Sequence, residues 1–366
     1  ITKHMKIQEI AETTLRQLYS DGLPDDDELF WEYVRPRDLN KVVSTETVNS
    51  DELTRMVLKQ YRVNSIDELK NLLTKDYYKE LEIVKILQIN RTQARKICKK
   101  FLLYKEGYKK EDRTGTGTIS FPGIMIRHDM SEGYPLLTLR TVPFKSPSIE
   151  LEGFIKGITS KKWYKDRGCN YWNQWCNPKV VPYGNDVDSK KKMEECDDLG
   201  KIYGYQWRNF NGVDQLKNIV DTLKKDSNNR RMVCSAWAPH QLNEMALPPC
   251  HFSWQVNVTD GKLNLFYYMR SVDFVLGNDL NTYGLLLHLL AKESNLKEGM
   301  LVGFFADAHI YLNHIDGVKE LLQRPTDKSL PTIETNNFNS IYEWEYNNTT
   351  LHNYNPYPSI KFQVAI

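Results

Sequence analysis

From Lys262 to Phe274, the residues Leu263, Leu265, Tyr267 and Met269 fall on every second position. Alternation of period two puts these side chains on one face of a β-strand, so the segment is expected to be a strand with one buried side. Between Val213 and Leu223, by contrast, Leu216, Ile219, Val220 and Leu223 recur at spacings of three and four. That period belongs to an amphipathic helix. Both patterns lie in one stretch that has no long structureless gap, which excludes an all-helical or all-β chain and predicts an α+β domain over 109–366. At 366 residues, 40% apolar and 11% aromatic, the chain can bury a full core and still carry an appendage.

The appendage is expected over residues 5–108, a polar stretch rich in Lys, Glu and Asp and broken into short helical patterns. Ser65-Ile66-Asp67-Glu68 is a capping box, and it opens a helix with Leu69, Leu72 and Leu73 on one face. Residues 83–104 set Arg91, Arg95, Lys96, Lys99 and Lys100 around Ile97, Phe101 and Leu102. A solvated helical face accounts for such charge more economically than a nucleic-acid surface. Residues 1–4, ahead of Met5, read as an appended remnant. Around Pro178 to Asp198, Gly184, three successive lysines and a closing acidic run mark an exposed insertion.

Charge narrows the classes of function. With 49 basic and 47 acidic side chains the net charge is +2, so there is no global footprint for nucleic acid or membrane, and any anion must be held by local arginines. Six cysteines stand singly at 98, 169, 176, 196, 234 and 250, without the paired spacing of zinc sites or the density of a disulfide scaffold. No metal is expected, and reduced thiols in a cytoplasmic protein fit this usage. No apolar run is long enough to span a bilayer, and the N-terminus lacks the order of a secretory signal.

One cysteine differs from the others in its setting. Cys250 follows Leu247-Pro248-Pro249 and precedes His251. Two prolines fix the backbone and remove amide donors, which presents the next side chain rigidly outside a helix. Arginines recur at Arg113, Arg230, Arg231 and Arg270, the last followed by Ser271. Several guanidinium forks and a hydroxyl suit a phosphate dianion, and a nearby guanidinium is expected to lower the cysteine pKa toward neutrality.

Taken in order, these segments resemble the thymidylate synthases and the related pyrimidine nucleotide hydroxymethylases. The resemblance runs from about Asp112 to Ile366. It rests on Asp112 to Gly117, Trp172 and Trp175, Tyr203 to Arg208, Arg230-Arg231, Ser235-Ala236-Trp237, Leu247 to His251, Arg270-Ser271, Asp307 to His314 and the closing Val364-Ala365-Ile366. It implies a mixed sheet with surrounding helices, dUMP as substrate, 5,10-methylenetetrahydrofolate as one-carbon donor, and a homodimer. It makes Cys250 the nucleophile at pyrimidine C6, with Arg113, Arg270 and Ser271 on the phosphate and Arg230 and Arg231 reaching the other subunit's phosphate. His309 and Tyr311 would hold the sugar hydroxyl. Glu150 would relay protons through water, Tyr203 would assist proton loss at C5, and Asn281 would read the base, its amide favouring uracil over cytosine. Trp172, Tyr171, Asp273 and Ile366 would border the folate.

Four departures from the synthase pattern concern the reaction chamber. Met269 stands where synthases usually have Gln, Asn278-Asp279-Leu280 replaces an apolar, proline-containing run, Ala238 follows Trp237, and Tyr171 precedes Trp172. Polar groups there would favour water over hydride as the final attacker. On this reasoning a dUMP hydroxymethylase, making 5-hydroxymethyl-dUMP, is expected slightly ahead of a thymidylate synthase.

Overall fold

The computed structural model describes residues 108–363 apart from Arg113, Gly277, Asn278 and Thr326. Of the helical extension expected over 5–108, all but Tyr108, which opens a strand, lies outside the described residues, as do its basic segment, the closing Val364-Ala365-Ile366 and Arg113.

The expected α+β domain is present. Six strands form one sheet in the order β1-β2-β6-β5-β4-β3. These are β1 (Tyr108–Lys110), β2 (Thr118–Asp129), β3 (Val233–Ser235), β4 (His251–Thr259), β5 (Lys262–Asp273) and β6 (Lys297–Tyr311). All neighbours are antiparallel except β5 and β6, which are parallel. A parallel pair needs a crossover, supplied here by a helix over Asp279–Glu293 that packs on both strands. A small hairpin of β7 (Thr332–Thr335) and β8 (Thr349–His352) stands apart from the main sheet.

The strand expected from Lys262 ends at Asp273, with Leu263, Leu265, Tyr267 and Met269 buried as the alternation required. Seven α-helices occur among the described residues: α1 (Lys145–Lys156), α2 (Lys161–Arg167), α3 (Val187–Glu195), α4 (Tyr203–Asn209), α5 (Gln215–Lys225), α6 (Asp279–Glu293) and α7 (Ile315–Gln323). The helix expected over 213–223 runs two residues later because Asp214 is its cap, accepting from the amide of Lys217. Asp214 also takes both Nε and Nη2 of Arg208, which ties α5 to the end of α4. The insertion at 178–198 is mostly exposed, and it contains α3, opened by Asp186 and anchored by the buried Met193.

Helices α1 and α4 approach closely. A Cβ on Gly204 would lie 2.8 Å from the Cα of Phe154 and 3.0 Å from the carbonyl oxygen of Gly153. This contact allows Phe154 to pack on Tyr203 and Trp207, and Trp207 on Trp254 of the sheet. The core between helices and sheet thus carries Glu150 of α1, Tyr203 of α4 and the N-terminus of α6 into one region.

Candidate active site

Cys250 sits immediately before β4, and the prolines that precede it are held from the neighbouring strand. Arg270 of β5 donates from Nε to the carbonyl of Pro249 (2.9 Å) and from Nη2 to that of Pro248 (3.0 Å). The same Nη2 lies 3.6 Å from the Cys250 sulfur. From the other side, the backbone N–H of Cys250 donates to the Tyr203 hydroxyl at 2.8 Å. The thiol is therefore fixed between a cation and a phenol.

The expectation that arginine would bring this thiol toward neutrality is corrected by burial. Desolvation pushes the Cys250 pKa up, the nearby Asp279 carboxyl adds to the rise, and Arg270 and Tyr203 offset only part of it. A thiolate loses more solvation in an enclosed site than one guanidinium at 3.6 Å restores.

His251 stacks on Tyr203 with centroids 4.1 Å apart and 13° between planes, and its Nδ1 meets the Tyr283 hydroxyl at 2.8 Å. Burial alone drops its pKa to about 3, so it is neutral at physiological pH and acts as packing for Tyr203.

Glu150 and Glu152, two residues apart on α1, have different surroundings. The Glu152 carboxylate pairs with Lys156 at 2.7 Å and accepts from the amide of Tyr346, which makes it a structural group. Among the described residues Glu150 has no such ion pair. Burial, then the charge of Asp279, raise its pKa to about 8, while the Trp172 indole N–H faces it and pulls the other way without reaching full hydrogen-bond geometry. Asp279, at the first position of α6, is itself raised by burial to about 6. Two carboxyls of separated pKa thus share the chamber, one protonated and one ionised at pH 7.

Asn281 is buried in the first turn of α6. Its Oδ1 accepts from the Tyr134 hydroxyl, which also donates to the Asn281 carbonyl at 2.7 Å, and its Nδ2 points to the carbonyl of Pro143 at 3.5 Å. An amide has two lone pairs and two N–H bonds, so one of each remains for a ligand. Tyr134 sets which end of the amide faces which way.

The carboxyl ends of the parallel strands β5 and β6 gather further expected residues. Ser271 pairs in register with Asp307, and Asp273 with His309. Asp307 accepts from Ser120 and from Lys110, each at 2.7 Å, and its Oδ1 lies 3.4 Å from His309 Nδ1. Burial works against the Asp307 charge, but those two donors hold its carboxyl below the usual range. Tyr311 meets His309 edge to face. Asp273 uses Oδ1 to cap the amides of Val275 and Leu276. Its Oδ2 is buried without a hydrogen-bond partner, 3.5 Å from His314 Nδ1, while His314 Nε2 donates to the carbonyl of Gln363. An unsatisfied buried acceptor of this kind suits a ring N–H of a bound ligand. The loop before β2 is organised by Asp112, which accepts from Thr114 and from the amide of Gly117.

Cys250, Tyr203, Arg270, Glu150 and Trp172 are therefore brought together, with Asp279, two residues before Asn281, acting on the same group. Arg230 and Arg231 are not: both are exposed in the turn between α5 and β3. The departures noted in the sequence also separate. Met269 and Ala238 are core residues and Tyr171 is 40% exposed, whereas Asp279 is close enough to shift Glu150, Cys250 and Tyr203. Sequence reasoning gave no role to His251, Tyr134 or Tyr283. A signal existed for Tyr283, since Asp279 and Tyr283 stand four apart on one face of α6. Tyr134 lies 147 positions from Asn281 and had none.

Comparison with known proteins agrees with this geometry. A family model described as thymidylate synthase matches residues 93–366. A protein named thymidylate synthase from Mycoplasma mobile is 39% identical over 281 residues, covering 72% of this chain and 96% of the relative. Another of that name, from Mesoplasma florum, is 40% identical over 287 residues with the same coverage of each chain. The match starts ahead of the boundary expected at 109.

Proposed function

The chain belongs to the thymidylate synthase family, and from that premise we propose that it transfers a one-carbon unit to C5 of dUMP, with Cys250 attacking C6. Proteins of this family take the unit from 5,10-methylenetetrahydrofolate. The observation that carries the reading is the Cys250 thiol held between Arg270 and Tyr203, with the Glu150 and Asp279 carboxyls near enough to act on Tyr203.

C5 of uracil is a weak carbon nucleophile until sulfur adds at C6 and turns the ring into an enolate, so covalent catalysis creates the nucleophile. Arg270, with Ser271, Arg113 and the other subunit's Arg230 and Arg231, neutralises the phosphate. The same guanidinium, already on the proline carbonyls, keeps the thiol in place. His309 and Tyr311 hold the sugar hydroxyl. As charge builds on O4, Asn281 donates its free N–H there, and its free lone pair accepts from N3–H. Glu150, protonated below about pH 8 because it is buried beside Asp279, donates a proton through water when one is needed. Tyr203, whose hydroxyl already accepts from Cys250, assists loss of the C5 proton. For the folate, the residues present fit: Asp273 Oδ2, which has no hydrogen-bond partner, is an acceptor for a ring N–H, and Tyr171 offers exposed aromatic surface next to the buried Trp172. When bound there it supplies the carbon and, for a methyl product, the hydride.

The two relatives are named thymidylate synthase and Tyr171 is exposed, so we place dTMP ahead of the hydroxymethyl product, reversing the order drawn from sequence. One observation keeps the second reading. Asp279 puts an ionisable carboxyl in the chamber wall, where it is a base for an attacking water above about pH 6.

A single assay separates the readings. Protein, dUMP and methylenetetrahydrofolate are mixed, dihydrofolate absorbance is followed and the nucleotide is weighed. Stoichiometric dihydrofolate with dTMP supports the synthase; 5-hydroxymethyl-dUMP without dihydrofolate replaces it by the hydroxymethylase. In either case Cys250→Ser should abolish product, and turnover by that variant would end the mechanism. Should any hydroxymethyl product form, Asp279→Pro, tolerated at a first helical position, is expected to lower its share of total product. An unchanged ratio would remove Asp279 from the choice.

A further inference from the structure

The exposed insertion has a narrow neck, and two cysteines sit on its two sides. The amide of Asn177 donates to the carbonyl of Asp198 at 2.8 Å, and Asn177 Nδ2 to the Asp198 carboxylate at 3.2 Å. Asp197 is held as well, its carbonyl accepting from Lys161 N and its Oδ1 from Lys162 N. Across these pairings Cys176 and Cys196 come near enough for Cys196 to raise the Cys176 thiol. Each sulfur also lies against a backbone carbonyl, Cys176 against Val181 (3.7 Å) and Cys196 against Asp198 (3.9 Å). Cys176 is fully buried and Cys196 is partly exposed. The ammonium of Lys161, which donates to the carbonyls of Asn173, Trp175 and Met193, lies near enough to interact with both thiols.

We propose that Cys176 and Cys196 are a peroxide-sensitive pair that closes a reversible disulfide across this neck. Neither thiol has a place in the one-carbon chemistry, so the pair is separate from Cys250. The exposed partner reacts first. The Cys196 thiolate attacks an oxygen of hydrogen peroxide; the O–O bond breaks, hydroxide leaves and takes a proton, and Cys196 becomes a sulfenic acid. Cys176 then attacks the Cys196 sulfur, the S–O bond breaks, and the departing oxygen leaves as water with the Cys176 proton. Two thiols and one peroxide thus give one disulfide and two waters. The order follows from the environments: burial, then Cys196 itself, hold the Cys176 thiol at about 11, so it is the resolving group and not the first attacker. The product ties the start of the insertion, one residue beyond Trp175, to the residue after α3.

Tryptic mass spectrometry of the full chain tests this. After brief treatment with a small excess of hydrogen peroxide and capping by N-ethylmaleimide, residues 168–179 should appear joined to 193–201, lighter by two hydrogens than the separate peptides. Fragmentation should place the link at Cys176 and not at Cys169, which shares that peptide. Dithiothreitol should remove the link and Cys196→Ser should prevent it. In Cys176→Ser the reaction should halt at a dimedone-trapped sulfenic acid on Cys196. If Cys176→Ser does not fold, the partly exposed Cys196→Ser decides alone. The proposal is overturned if both thiols are still capped by maleimide when Cys250 has been oxidised, or if Cys196 goes to the sulfinic acid with no link, or if Cys169 is the partner.

Discussion

The carboxyl of Glu150 is held near pH 8 by burial and by the charge of Asp279, and that has consequences for stability and turnover. In the unfolded chain the same group ionises near 4.5. Below that value it is protonated in both states. As pH rises from about 4.5 to 8 the unfolded chain loses the proton and the folded chain keeps it, so the stabilisation associated with Glu150 is present at low pH and lost through the folded pKa. Asp279 adds the same trend at lower pH, between about 3.8 and 6. Glu150→Gln should therefore be more stable than the parent at pH 8.5 by roughly 2 kcal/mol, after allowance for solvent in the cleft, and about equal at pH 4.5. Urea unfolding at the two pH values checks this. Its turnover should fall by roughly 10²–10³, and the decline in parental kcat above about pH 8 should disappear from what activity remains. Equal stability at both pH values would show that the carboxyl is not desolvated.

At the scale of elements, the close approach of α1 and α4 depends on Gly204, whose missing side chain leaves room for the backbone of Phe154. Gly204→Ala forces the helices apart. We expect a loss of roughly 1–3 kcal/mol together with reduced turnover, since Tyr203 is the preceding residue and Glu150 lies on the opposing helix; denaturant melts and steady-state rates report the two effects. Elements were legible in the sequence where period and burial agreed. The strand from Lys262 and the helix before Leu223 show one buried face each, and both formed with their apolar positions inside. Helix α4 was not legible because Tyr203, Gly204, Gln206 and Trp207 are buried around most of its circumference and leave no stripe to count. Helix α3 was hidden for the opposite reason, having only Met193 to bury. Within the site, the Pro-Pro-Cys segment announced a rigidly presented thiol. The choice of Glu150 over Glu152 depended on Lys156 and Tyr346 claiming the latter, a matter of packing across 194 positions of sequence.

For the molecule as a whole, the placement of the arginines bears on assembly. Arg230 and Arg231 lie exposed in the turn before β3, outside the group formed by Cys250, Arg270 and Tyr203. The outer face of the sheet carries aromatic surface: Tyr268 of β5 stacks on Phe304 of β6 at 5.1 Å and 7°, Phe252 of β4 lies beside Tyr268, and Val233 on the edge strand is 46% exposed. A two-fold dimer through such a face is isologous, so an arginine that crosses it one way crosses it the other way too. Complementation tests the arrangement directly. Arg231→Ala chains and Cys250→Ser chains should each be nearly inactive alone. In a mixed dimer with shared sites, one site receives both defects and the other receives neither. After random exchange half of the dimers are mixed and each holds one intact site, so activity should recover to roughly a quarter of that of the parent protein. If the arginines act within their own chain, every site in the mixture keeps one defect and no activity returns.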